Sequence, residues 1–343
     1  MWLLQARAFH SDCPALHALG RRMTLAPFVR IVAQGKGRAR PLTQSEACDA
    51  MTLILSGKAA SEAVGALLMV LRMRGETDAE IAGFTTALRQ SRQGTLGLQA
   101  RSADRIDLDW PCYAAGRSRG SPLFALAAKL VAQAGYRVAL HGWNSHQSNA
   151  ADLRYALTAT GILGQGLSYS PLEELNPAAF ELLNLRATFG LRSCINTVLR
   201  MWNPYAAEAS VQGVFHPSYR GLQSRAAALL GDQNLTVIKG GGGEFERNPA
   251  KDTAIFGLQS GLEINCHTPA LLTDTRRLHD PDQPIEIGAL WRGTQKDSFA
   301  SATVVGTAAL ALWTVGAEST VEQATALATD LWETRHSQQR RAL

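Results

Sequence analysis

Two capping boxes near the start of the chain constrain its fold more than any other feature. Thr43-Gln44-Ser45-Glu46 and Thr77-Asp78-Ala79-Glu80 each place a glutamate three residues after a threonine, so that both side chains bond backbone amides at a helix start. Apolar residues follow each box at helical spacing. A third such segment runs from Ser61, a predicted cap, to Gly75, which stops it. These three helices predict a small helical bundle.

The chain changes character after a polar linker from Ser91 to Ala103. Val211 to Phe215 and Leu235 to Ile238 are apolar runs typical of buried strands, with a helical pattern from about Tyr219 to Leu230 between them. Arg137 to Leu140 predicts another strand. A strand, a helix and a second strand in this order imply a parallel sheet covered by helices. The expected fold class is therefore α/β, with an N-terminal helical bundle domain and a larger α/β domain around a central, mostly parallel sheet.

The domain boundaries follow from these patterns. We expect a loosely attached extension at 1–23, a helical domain at 24–95 joined by helices within 174–204, an α/β domain at 104–334, and a polar tail at 335–343. Met23 is an alternative start to Met1, because the patterned sequence begins there.

Composition excludes several classes of protein. With 343 residues, 46% of them hydrophobic, the chain can bury a sizeable core. It has no apolar run of roughly 20 residues that would span a membrane, and we do not expect its first residues to act as a signal peptide. The five cysteines lack CxxC spacing, so neither a zinc site nor a disulfide framework is expected, and we predict a cytoplasmic protein. The net charge of +5 favours partners that carry phosphate.

Three motifs carry a family resemblance. They are Leu71-Arg72-Met73-Arg74-Gly75-Glu76-Thr77, the segment from Gly190 to Thr197 with Asn203-Pro204 after it, and, more weakly, His141-Gly142 after a strand. The chain resembles the anthranilate phosphoribosyltransferases, or TrpD homologues, over most of residues 24–310. The resemblance implies a cleft between the two domains and a homodimer formed through the helical domain. If the protein is an enzyme, it also implies roles for His141 and for Arg192, which matches the arginine that holds the carboxylate of anthranilate.

The motifs that the family uses for catalysis are rewritten. In the family, a glycine-rich turn ending in aspartate wraps a pyrophosphate, whereas this chain carries Arg117 and Arg119 in the corresponding turn. An Asp-Glu pair holds magnesium in the family; here Phe245 takes the place of the aspartate, leaving Glu244 and Glu246 as the metal candidates. No cofactor is therefore expected, and magnesium only if transferase activity persists.

These departures resemble a divergent branch of the family that binds single- or double-stranded nucleic acid with little sequence preference. Tyr113 and Trp143 are candidate platforms for base stacking, with ordinary packing as the alternative. The other hypothesis is a glycosyltransferase or phosphoribosyltransferase that acts on an unidentified substrate and is not specific for anthranilate. The predicted contacts to nucleic acid or phosphate are Lys36, Arg38, Arg40, Tyr113, Arg117, Arg119, Trp143, Lys239, Arg247 and Lys251.

Overall fold

The computed structural model describes residues 24–35, 37–96, 105–113, 120–143, 152–280 and 282–336. Its first part is a group of four helices. Both predicted capping boxes are confirmed: the Thr43 hydroxyl accepts from the amide of Glu46 at 3.2 Å, and the Glu46 carboxylate accepts from the amide of Thr43 at 2.9 Å. Thr77 and Glu80 make the same exchange. The predicted cap at Ser61 is wrong, because the cap position is Ala60 and Ser61 is the first helical residue. The four helices are α1 (Ala26–Ala33), α2 (Gln44–Leu55), α3 (Ser61–Arg74) and α4 (Asp78–Leu96).

The remaining elements build a seven-stranded sheet with helices on both faces, which confirms the predicted fold class. The strands lie in the order β3-β2-β1-β4-β5-β6-β7, with parallel pairing from β3 to β5 and antiparallel pairing from β5 to β7. The strands are β1 (Leu108–Cys112), β2 (Val138–Gly142), β3 (Leu167–Pro171), β4 (Ala209–Val214), β5 (Asn234–Lys239), β6 (Thr253–Gln259) and β7 (Leu262–Thr268). The helices are α5 (Phe124–Gln133), α6 (Leu153–Thr160), α7 (Leu172–Leu175), α8 (Pro177–Phe189), α9 (Ile195–Arg200), α10 (Tyr219–Leu230), α11 (Ile287–Arg292), α12 (Ser298–Thr314) and α13 (Val321–Thr334).

Two apolar cores divide the molecule. One lies between one face of the sheet and the helices α5, α12 and α13, with Trp110 of β1 fully buried in it. The other joins α10 and the opposite face to α1–α4 and α7–α9, so the segment 172–202 packs with the N-terminal helices rather than with α12 and α13. Within the described residues, no helix combines the length and the apolar character needed to cross a bilayer. This arrangement places α9 against β1, and Phe180 of α8 against Trp143, which follows β2.

Candidate functional site

The sheet itself indicates where a ligand would bind. The chain builds β1, β2 and β3 outward in one direction and β4 and β5 in the other, so the order reverses between the adjacent strands β1 and β4. In open α/β sheets, ligands bind in the crevice beyond the carboxyl ends of the strands at such a reversal. Tyr113, Phe215 and Gly240 directly follow β1, β4 and β5 at this edge, and Lys239 ends β5. We call the region beyond this edge of the sheet the crevice.

A row of buried polar side chains lies beneath the crevice. The hydroxyl of Tyr113 is 2.9 Å from Nδ1 of His141, and Nε2 of His141 is 3.0 Å from Oδ1 of Asp109, without the geometry of a regular hydrogen bond. The other oxygen of Asp109 accepts from the hydroxyl of Ser210 at 2.9 Å. A carboxylate beside Nε2 favours the tautomer that carries its proton there, so Nδ1 accepts from Tyr113. These four side chains form the buried floor of the crevice.

Burial corrects two predicted roles. His141 has no exposed surface and Tyr113 only 2%, so neither can touch a ligand in the crevice as the described residues are placed. Burial, followed by the charge of Asp109, raises the pKa of Tyr113 well above its ordinary value, so its hydroxyl stays neutral. His141 is therefore held beneath the crevice, and the ring of Tyr113 is not exposed as a platform for stacking.

Four arginines converge from the helical side of the crevice. Arg192 lies in the turn between α8 and α9 that begins at Gly190, whose φ of 66° closes α8 in the left-handed conformation. Burial, and then repulsion from neighbouring guanidinium groups, lowers the pKa of Arg192 to about 10. Those neighbours, in order of effect, are Arg186, Arg200 and Arg72. Arg72, Arg186, Arg192 and Arg200 are called the arginine cluster below.

Within the arginine cluster, the positive charge of Arg192 has no carboxylate partner among the described residues. Within the described residues it forms no ion pair, and the charges that shift its pKa all belong to arginines. Arg200 is only 7% exposed, and burial lowers its pKa while Glu244 opposes that shift. The Nε atom of Arg200 has no hydrogen-bond partner among the described residues. A cationic group of this kind is suited to receive an anion.

Phe215 stands beside the cluster with half of its side chain exposed, and its ring meets the ring of His216 edge-on. A Cβ atom on Gly243 would lie 3.5 Å from Cβ of Phe215 and 3.3 Å from Nη2 of Arg200. Both side chains therefore border the same glycine turn after β5. The sequence pattern marks Phe215 only as part of a strand end and misses Arg72, Arg186 and Arg200. No spacing along the chain singles out these arginines.

Comparison with known proteins decides the family. Residues 28–92 match the glycosyl transferase family, helical bundle domain. An anthranilate phosphoribosyltransferase of Roseiflexus sp. (strain RS-1) is 30% identical over 250 residues, which cover 68% of each chain. This chain belongs to the anthranilate phosphoribosyltransferase-like family.

Solved structures of the TrpD-like family share the fold. Anthranilate phosphoribosyltransferase of Thermus thermophilus superposes with a TM-score of 0.66 at 22% identity, covering 85% of this chain and 92% of that one. A variant of the Saccharomyces cerevisiae enzyme with Mg bound gives a TM-score of 0.65 at 14% identity, covering 89% and 91%. The family scaffold is thus that of a phosphoribosyltransferase.

Magnesium, which the TrpD-like family implies, does not fit the residues present. Phe245 has no exposed surface and lies in the apolar core with its ring edge-on to Trp110 at 5.4 Å, so this position offers no oxygen ligand. Glu246 accepts from Nε2 of His279 at 2.7 Å and from the first amide of α5, that of Phe124, at 3.1 Å. Glu244 is buried and close enough to Cys112 and Arg200 to raise their pKa values. A hard cation needs several converging oxygens, and the oxygens of Glu246 are already held by His279 and by the amide of Phe124.

The other predicted contacts are dispersed. Arg247 is fully buried: its amide donates to the Thr307 hydroxyl at 2.9 Å and its guanidinium donates to the Pro269 carbonyl, while burial lowers its pKa to about 10. This corrects its role as a phosphate contact. Trp143 packs edge-on against Phe180 with Arg154 over its ring, so packing accounts for it. Arg38, Arg40, Lys239 and Lys251 are exposed, and Lys36, Arg117 and Arg119 lie outside the described residues.

Proposed function

We propose that this protein binds nucleic acid with little sequence preference, using the crevice of a phosphoribosyltransferase scaffold. One observation carries the proposal: among the described residues, the charged groups that shift the pKa of the half-buried Arg192 are all arginines. An unbalanced cationic group costs stability in the free protein, and a bound phosphate would remove that cost. Each phosphate neutralised also releases counterions, which adds affinity that depends on salt but not on sequence.

Phe215 adds the second element that such a site needs. Every base has an aromatic face, so an exposed ring beside a cationic groove binds single strands without reading their sequence. Phe215 is about half exposed and lies near Arg200 at the turn of Gly243. A phosphate in the arginine cluster would place the adjoining base within reach of this ring.

An extended track is part of the proposal. A homodimer formed through the helical domain would present two crevices, and the exposed cations Arg38, Lys239 and Lys251 would extend each of them. Single strands and duplexes are both expected to bind, because backbone phosphates are common to both. The proposed contacts outside the described residues are Lys36, Arg117 and Arg119.

A second candidate is a glycosyltransferase or phosphoribosyltransferase that acts on an unidentified substrate and is not specific for anthranilate. It is supported by the relative from Roseiflexus, which is named anthranilate phosphoribosyltransferase, and by Arg192, which suits a carboxylate as well as a phosphate. Magnesium-dependent chemistry is disfavoured by the positions of Phe245 and Glu246.

Fluorescence anisotropy of a labelled single-stranded oligonucleotide, titrated at several salt concentrations, tests the proposal. We expect the logarithm of the affinity to fall linearly with log salt, and Arg192→Gln to flatten that slope by about 0.7 for a lost phosphate contact. Arg225→Gln is the matched control, because it removes the same charge from a residue paired with Asp78 at 2.8 Å. Absence of binding at low salt, together with thermal protection by phosphoribosyl pyrophosphate and magnesium, would favour the transferase.

A further inference from the structure

The segment Arg276–Asp280 enters the crevice edge between two glycine turns. A Cβ atom on Gly120, before α5, would lie 2.4 Å from Nδ1 of His279. A Cβ atom on Gly241, after β5, would lie 2.4 Å from Cδ2 of Leu278 and 3.2 Å from Nε2 of His279. Any side chain at either glycine would collide with this segment, so the two turns leave space that Leu278 and His279 fill. We call Arg276–Asp280 the clasp.

Side-chain contacts hold the clasp in place on both sides. Arg276 donates to the carboxylate of Asp297 at 2.9 Å, and its guanidinium lies 4.7 Å from the ring centre of Phe299. Farther along, the hydroxyl of Ser121 donates to the carbonyl of Ile285. Both flanks of the clasp are thereby held against the start of α5 and the start of α12.

His279 meets Glu246, one of the two carboxylates that the sequence leaves as metal candidates. Its Nε2 lies 2.7 Å from Oε2 of Glu246, and Oε1 of Glu246 accepts the amide of Phe124 at the start of α5. Glu246 has no exposed surface. A divalent cation that used Glu246 would have to displace the histidine ring and break the contact of Leu278 with Gly241.

We propose that His279 is a specificity-determining residue that takes the place of a divalent cation, so that the crevice binds anions without metal and excludes metal-bound pyrophosphate. The chemistry is complementary: the imidazole donates a hydrogen bond to the carboxylate oxygen that would otherwise ligate a hard cation. Neutralisation of a bound anion is left to the arginine cluster. This inference concerns metal and does not rest on the binding of nucleic acid.

The proposal is tested by titrating the full chain with manganese(II). Binding is measured as the loss of the free-ion signal in electron paramagnetic resonance. We expect no binding by the wild type at submillimolar manganese. His279→Ala should bind manganese at least tenfold more tightly than the wild type. Adding Glu246→Gln to that variant should remove this gain in manganese affinity. His279→Gln keeps a donor for Glu246 and should behave as the wild type. Circular dichroism melting verifies that each variant is folded.

A second variant protects the test against misfolding. Leu278→Ala loosens the clasp without altering the histidine or the carboxylate, and it should show a smaller gain in manganese affinity. Gly65→Ala is the control, because its Cβ atom meets only the ring of Phe189, at an ordinary 3.5 Å. Wild-type protein that binds manganese through Glu246, or folded His279→Ala and Leu278→Ala proteins that both fail to gain it, would overturn the inference whatever the outcome with oligonucleotides.

Discussion

The arginines that pair with carboxylates in the helical domain differ from those of the arginine cluster at the crevice, although Arg72 of the cluster lies only two residues from Arg74 on α3. Arg74 donates to Glu80, a fully buried carboxylate, and Arg40 forms two hydrogen bonds of 2.7 Å with Glu46. The pKa of Arg192, in contrast, is lowered by burial and by the charges of three neighbouring arginines. Paired guanidinium groups join helices, whereas like charges held together oppose folding unless something outside the chain balances them. The contrast separates structural arginines from those available to a ligand.

Removing a carboxylate from the paired set should have the largest effect. Glu80 accepts from the amides of Leu42 and Thr77 as well as from Arg74, and so joins the starts of α2 and α4 to the end of α3. Glu80→Gln leaves Arg74 without its partner and should lower the free energy of unfolding by about 3 kcal/mol. Chemical denaturation measures this value. A loss below about 1 kcal/mol would show that the buried pair is not structural.

Phe215→Ala should distinguish the contribution of base stacking to nucleic-acid affinity from the contribution of charge at the crevice. Loss of one base–aromatic contact costs about 1–3 kcal/mol, which is about 5- to 150-fold in affinity for a single strand. The ring is about half exposed, so stability should stay within about 0.5 kcal/mol of the wild type. Anisotropy titrations should show weaker binding with an unchanged salt slope. A change in slope with no loss at fixed salt would contradict the assigned role.

Removal of Arg192 should stabilise the free protein while it weakens binding. Because the folded-state pKa of Arg192 is lowered to about 10, its charged form disfavours folding at neutral pH. That cost disappears only as the pH rises from about 10 toward the ordinary value of 12.5. Arg192→Gln should therefore raise the melting temperature at pH 7 by about 2 °C, a value reduced for the partial exposure of the side chain.

The control for this variant is Arg225→Gln, which breaks the pair with Asp78 and should leave the melting temperature unchanged or lower. If Arg192→Gln melts below the wild type, then Arg192 is a structural residue, and the contrast between the two sets of arginines does not hold.

Local patterns explain why the fold could be predicted and the site only partly. Capping boxes act within a few residues, so Thr43–Glu46 and Thr77–Glu80 specified their helices from sequence alone. The arginine cluster draws on α3, α8, the turn after it and α9, and no spacing along the chain reveals that convergence. Burial is also a property of the whole fold, which is why Arg247, a loop cation in sequence, is an interior residue in the structure.

The smallest predicted effect concerns the exposed pair at the start of α2. The hydrogen bond from Arg40 is the main cause that lowers the pKa of Glu46 to about 2. Since this folded-state pKa is depressed, the pair stabilises the protein above the ordinary value of 4.5, and the stabilisation is lost as the pH falls toward 2. Glu46→Gln retains an acceptor for the amide of Thr43, so it should cost less than about 1 kcal/mol at pH 7.

Glu46→Gln also tests whether Arg40 belongs to the proposed interface. Arg40 is exposed, and Glu46 competes with any phosphate for its guanidinium. Freed from that carboxylate, Arg40 should strengthen oligonucleotide binding about twofold or more at low salt, and the gain should vanish at high salt because exposed charges are screened. Unchanged affinity in titrations at low salt would remove Arg40 from the interface and leave the cationic contacts to the crevice.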